Sequence, residues 1–476
     1  MRSRIDRHLG LVLGDSGDAA RFDVAAAAAP PPPEELNGRD YAIFLLRVAA
    51  EIEHALMVQY LFVAYTLGRP GAPTALADQA RAWQETILGI AKEEMAHLVT
   101  VQNLLVALGG PVGFERDDYP NPSPFYPFGF QLRPAGLEAV ATYVCAESPA
   151  DWEGAEADEI MELARADVGA PVNRVGELFA EIARVLGDPE LVPDDAFDPA
   201  SRDFQATWDE WGRGYREGQR GSQPTSALPG LPLPELLVLP VTTRAGALAA
   251  VAAVGEQGEA FETPADDDDS HFRRFLAVYR AMKALGGDLA AVVRPVATNP
   301  TTAAPLDTEP ADPDPDPDDP DTLTPIRHPE ARLWAQLSNI RYRKLLVGLT
   351  HAFDLAGPAT RASARGALVN RSFTEMYQLR TIAGLLVRLP LDDAEPDGPR
   401  AGPPFQMPYT LALPRRERDR WRVHRDLLDA SSSVLARLKE RGVSGDGQDY
   451  LLALAQSDEI ERGQVERLIA GAGSTG

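Results

Sequence analysis

Glu94 and His97 stand three residues apart in the stretch KEEMAH. Around them Ile87, Ile90, Leu98, Val101, Leu104, Leu105 and Leu108 recur at helical spacing, so the pair falls on the inward face of one amphipathic helix over 83–110. A carboxylate and an imidazole in an apolar stripe cost free energy unless something neutralises them. A metal ion does this well. Bundles that hold two metal ions use Glu-x-x-His pairs in this way and add one Glu from each of two further helices.

The neighbouring stretches contain such residues. Residues 39–67 read as a long helix stopped by Gly68 and Pro70, with Glu53 flanked at helical spacing by Ala49, Ala50, Leu56, Met57 and Tyr60. A short Gly/Pro turn joins it to the next helix. The two are then antiparallel, and Glu53 is expected to meet Glu94 and His97. A third helix over 134–147 turns Val140, Tyr143 and Val144 inward ahead of Glu147. A fourth runs from Thr243 into GEQGEA and places Glu256 and Glu259 three apart. After an acidic loop, Ser270 caps a helix that begins with His271.

The expected metal ligands are therefore Glu53, Glu94, His97, Glu147, Glu256, Glu259 and His271. The last element departs from the pattern, because His271 follows Glu259 across a loop. Which of Glu256 and Glu259 binds stays open.

Single motifs of this kind are weak, and Glu51 with His54 forms a second Glu-x-x-His. Glu53 is the better ligand because its helical neighbours are apolar. His54, about 100° further round, is expected to act as a supporting partner. His351, in LLVGLTHAFDL, reads as a satisfied core histidine. His8, His328 and His424 read as surface or structural, and Met57, Met95, Tyr60 and Tyr65 as core packing.

The 476 residues exceed one ordinary core, and the formal charge of −25 argues against nucleic acid and anionic membranes as partners. A single cysteine, Cys145, rules out an internal disulfide and a cysteine metal site. No apolar run reaches the roughly 20 residues needed to span a bilayer. The first 18 residues lack a sustained apolar stretch, so a cytoplasmic location is expected.

The chain divides on this reading into a disordered tail (1–38), a dimetal bundle (39–295), an acidic Pro-rich linker (296–326) and a C-terminal helical subdomain (327–476). The fold class is all-α. The C-terminal half offers four amphipathic segments, suited to covering a pocket or to forming a homodimer.

EIEHALMVQYLFVAYTL, KEEMAHLVTVQNLLVALGGP, VCAESPAD, GEQGEA and SHFRRF occur in this order, followed by NIRYRKLLVGL and AGPPFQMP. In this combination the chain resembles the ferritin-like family of the iminophenyl-pyruvate dimer synthase type, over roughly residues 39–410. The resemblance implies a ferritin-like four-helix bundle and an oxidative role in secondary metabolism. It also implies a small, amino-acid-derived substrate. Dimer synthases of this type are associated with haem, whereas Glu and His ligands suit two iron ions, or manganese, better than a porphyrin. The expectation is a di-iron oxidoreductase using dioxygen. The alternatives are a metal-storage protein, a haem-dependent coupling enzyme with His54 or His351 as axial ligand, and a structural protein whose glutamates are neutralised by Arg47 and other arginines.

Overall fold

The computed structural model describes residues 33–120, 127–168, 172–211, 235–259, 270–302, 323–358, 360, 363–443, 445 and 447–472. Most of the expected tail, the central part of the expected linker and the Gln/Gly/Pro-rich stretch after Trp211 lie outside these residues. The chain forms two compact units, Met1–Val293 and Arg294–Gly476. The described residues are overwhelmingly helical, and no helix among them is long and apolar enough to cross a membrane.

In the first unit α1 spans Gly38–Thr66 and α2 spans Thr74–Ala107. Asn37 caps α1 by accepting from the Asp40 backbone N–H at 2.9 Å. Gly68, at φ 84°, takes a backbone conformation that side chains resist, and it turns the chain after α1. Two contacts fix the antiparallel register. Gln84 Nε2 donates to the Ala64 carbonyl at 2.7 Å near one end, and Arg39 Nε to the Leu108 carbonyl at 2.8 Å near the other. Helix α2 begins nine residues before the expected Trp83, because its first turns are solvent-exposed and show no apolar stripe.

Four more helices complete what surrounds the site: α3 (Leu137–Ala146), α4 (Ala155–Val168), α5 (Val175–Gly187) and α6 (Arg244–Glu259). Helix α7 (His271–Leu285) follows, capped by Ser270 and ended by Gly286 at φ 57°. Helix α3 packs on α4 and α7, and α5 packs on α6 and α1. An extended strap over 235–241 lies along α2. Thr100 Oγ1 donates to the Leu237 carbonyl at 2.5 Å and accepts from the Leu239 N–H at 3.0 Å, while Asn103 Nδ2 donates to the Leu239 carbonyl at 3.0 Å. With the strap in place, α2 is buried on most of its circumference.

The second unit contains α8 (Pro329–Phe353), α9 (Ala364–Leu386), α10 (Glu417–Arg441) and α11 (Gly447–Ala472). A two-residue parallel pairing of Pro300–Thr301 with Thr324–Pro325 precedes them. Trp334, Leu337, Ile382, Leu386, Leu435, Leu438, Leu451 and Leu454 form its core. A buried ionic network crosses that core. Arg341 donates to Asp458 Oδ1 at 2.8 Å and to Ser431 Oγ at 2.6 Å, and Lys344 Nζ lies 2.7 Å from Glu375 Oε1 and 2.9 Å from Glu461 Oε2.

Candidate metal centre

Glu53 from the middle of α1, Glu94 and His97 from α2, Glu147 at the C-cap of α3 and His271 at the start of α7 meet inside the first unit, each at most 2% exposed. Glu94 stands between the two histidines. Its Oε2 is 3.3 Å from His97 Nδ1, and its Oε1 is 2.7 Å from His271 Nδ1. Each histidine also has a carboxylate of its own. Glu53 Oε2 lies 3.5 Å from His97 Nδ1, and Glu147 Oε2 lies 3.7 Å from His271 Nδ1. Glu94, His97 and His271 place ligand atoms within 4.8 Å of one another, a grouping that could hold a metal ion, and Glu53 and Glu147 flank it.

The electrostatics are those of a cluster built for cations. Glu53 Oε2, Glu94 Oε1 and both ring nitrogens of His271 are buried and make no hydrogen bond of good geometry, despite their short separations. Burial and the Glu94 charge push the Glu53 carboxyl well above the usual carboxylate range. Burial would lower His97, but the carboxylates of Glu53 and Glu94 outweigh it and push it up to about 10. His271 is raised too, as the Glu94 charge and contacts to Glu147 and Glu93 overcome its burial. In the protein alone, protons compensate the converging carboxylates. Three carboxylates and two imidazoles, with lone pairs that lack partners, fit a divalent transition metal with oxygen and nitrogen preference.

One side of the cluster is open in shape. A small cavity there is bounded by Val175, Gly176 and Phe179 of α5, by Val254, Gly255 and Gly258 of α6, and by the side chains of the cluster. A Cβ added at Gly258 would lie 3.4 Å from Glu147 Oε2, so α6 approaches the site closely with glycines. This corrects the expected role of Glu256, which is exposed. On α6 the inward positions belong to Gly255 and Gly258, and Glu256 is rotated by about 100° from Gly255. The side chain of Glu259 lies outside the described residues. In place of one helix carrying Glu-x-x-His, α6 ends beside the cluster and α7 begins there with His271.

Three side chains that sequence reasoning assigned elsewhere, or passed over, belong to the centre. Gln257 Oε1 meets His97 Nε2 at 2.8 Å. Glu93 Oε2 lies 3.2 Å from His271 Nε2 and accepts from Arg274 Nη2. Tyr60, expected as core packing, donates from its hydroxyl to Glu147 Oε1 at 2.5 Å. A signal for Gln257 was present, since glycines on either side of it in GEQGE mark a face that approaches another element closely.

Other expectations settle differently. His54 is buried, and its partner is the Phe114 backbone, away from the cluster. Arg47 pairs with Glu115 at 3.4 Å, and its guanidinium occupies the space where Gly113 lacks a side chain, so it neutralises none of the inward glutamates. In the second unit His351 is fully buried, with Nδ1 3.0 Å from His424 Nε2 and Nε2 3.1 Å from the Glu417 carboxylate. It is a satisfied core histidine with both ring nitrogens engaged.

Residues 46–280 match the family model described as ferritin-like, and this part of the chain belongs to the ferritin-like family. Among curated proteins it is similar to the dichlorochromopyrrolate synthase of Lentzea aerocolonigenes, with 27% identity over 165 residues. That alignment covers 30% of this chain and spans 16% of the length of the relative. A solved structure of a ferritin-like protein from Caulobacter vibrioides is also similar, at 17% identity and a TM-score of 0.39, covering 72% of this chain and 95% of that one.

Proposed function

We propose that this protein is a di-iron oxidoreductase that oxidises a small molecule with dioxygen, in the secondary metabolism to which its resemblance points. One observation carries the reading: Glu94 lies between His97 and His271, each of which has a further carboxylate of its own. Such a set of mixed oxygen and nitrogen ligands would suit two ions held on either side of Glu94. Glu53, His97 and one oxygen of Glu94 would hold one ion; Glu147, His271 and the other oxygen of Glu94 would hold the second. Manganese suits the same ligands.

Iron bound there supplies the redox chemistry that amino-acid side chains lack. The chain supplies the rest. Tyr60 holds Glu147 in orientation by donating to its Oε1. Leu56, Val175, Phe179 and Val254 wall the cavity with apolar surface beside the cluster. Gly255 and Gly258 leave room for a small molecule beside Glu147 and His271. A haem ligated by His351 would have to displace both His424 and Glu417 from its ring.

Metal content by mass spectrometry, with an absorption spectrum on the same sample, tests the reading. About two iron or manganese ions per chain in the wild type, lost in Glu94→Ala, are expected. Full metal content in Glu94→Ala, or stoichiometric haem, would overturn it.

A further inference from the structure

The two histidines are held from behind by different chemistry. Nε2 of His97 faces the neutral amide oxygen of Gln257 at 2.8 Å, while Nε2 of His271 faces the Glu93 carboxylate at 3.2 Å. At His97 the Gln257 amide oxygen accepts from Nε2, and at His271 the Glu93 charge stands beside Nε2 without a hydrogen bond of good geometry; both favour a proton at Nε2 and leave the Nδ1 lone pair for the cluster. The two acceptors are not independent. The Glu235 backbone N–H donates to Glu93 Oε1 at 2.8 Å, and the Glu235 carbonyl accepts from Gln257 Nε2 at 3.0 Å. One residue at the start of the strap thus anchors both supports. The Gln257 bond also fixes its orientation: with Nε2 committed to the carbonyl, Oε1 is the atom left to meet His97.

We infer that Glu93 and Gln257, tied together through Glu235, are the positioning residues of the two histidines, and that their difference in charge makes the two metal positions unequal, with the His271 position the tighter. A carboxylate behind an imidazole strengthens it as a donor more than a neutral amide does. Arg274 moderates this by sharing Glu93 Oε2, but the carboxylate stands directly against the ring. The inference rests on the dimetal reading above and adds an order of filling to it.

The test is titration of the full, metal-free chain with Co²⁺, followed by visible absorption, in the wild type, Gln257→Leu, Gln257→Glu and Glu93→Gln. Two resolved binding phases are expected in the wild type. Gln257→Leu should weaken the second phase by about 10–100-fold and leave the first in place. Gln257→Glu should restore the second phase and bring the two phases together. Glu93→Gln should weaken the first phase selectively. Because Glu93→Gln also unpairs buried Arg274, the Gln257 pair is decisive if that variant does not fold. Two phases unchanged in both Gln257 variants would overturn the inference while leaving the dimetal reading standing. A wild type that binds no Co²⁺ at the cluster would overturn both.

Discussion

The Tyr60 hydroxyl donates to Glu147 Oε1 at 2.5 Å from within an aromatic nest, its ring centroid 4.8 Å from those of both Tyr143 and Phe275. Burial and the Glu147 charge push the phenol's pKa well above its ordinary range. Tyr60→Phe keeps the nest and removes only the donor. A hydrogen bond to a charged acceptor contributes about 1.5–3 kcal/mol. Urea unfolding of the metal-free protein should show a loss of that size in the variant, and an unchanged midpoint would show that the bond contributes nothing.

Glu256 provides the contrast. It is exposed on α6 and meets none of the cluster. Glu256→Ala should therefore leave metal content at the wild-type level and shift stability by no more than about 0.5 kcal/mol. A variant stripped of metal would place Glu256 among the ligands after all.

Gly258 marks the approach to the cluster. Since an added Cβ would stand at ordinary contact distance from Glu147, Gly258→Ala should fold and take up metal as the wild type does. Gly258→Leu should fill the cavity beside Glu147 and His271. Stopped-flow uptake of Co²⁺ should be slowed at least tenfold in the Leu variant alone. Equal rates in all three proteins would mean that ions enter by another route.

Asp458 gives the second unit an acid sensitivity. Burial raises its carboxyl, but hydrogen bonds and charge from Arg341, with help from Lys344 and Ser431, outweigh this and hold it below the usual range. Glu375 faces the same two cations. A carboxyl whose folded pKa lies below the unfolded value of about 3.9 contributes stability that is present above that value and lost as pH falls through the folded one. The second unit should therefore weaken as pH drops below about 4. Asp458→Asn should be less stable at neutral pH, by about 3–5 kcal/mol if Arg341 is left buried without compensation, and should respond less to acid. Parallel pH profiles for the two proteins would remove Asp458 as the cause.

Helical spacing carried much of this centre. Glu53, Glu94 and His97 lie in long helices where apolar neighbours mark an inward face, and the Gly/Pro turn after α1 fixes their meeting. Glu93 was passed over because a residue beside Glu94 points outward on a helix with a single buried face. Helix α2 is covered on several sides, by α1, by α7 and by the strap, so adjacent residues are both interior. Glu256 was misplaced for the opposite reason. A short acidic stretch near a helix end shows no apolar stripe to orient it, and only the glycines at 255 and 258 betray which side packs closely. The partners of His97 and His271 depend on a strap with no periodic signal at all.

The cluster draws on residues from Glu53 in α1 to His271 in α7, over two hundred positions apart in the chain. Between them α2 and α3 must also be in place before the side chains converge. An unfolded chain meets a large closure entropy in bringing such distant segments together, so it offers a cation nothing comparable to the native cluster. By mass action, a cation that binds only the native cluster raises the stability of the whole unit in proportion to the logarithm of its concentration. For a cluster so occupied, metal supply would control how much folded protein persists, quite apart from any chemistry at the site.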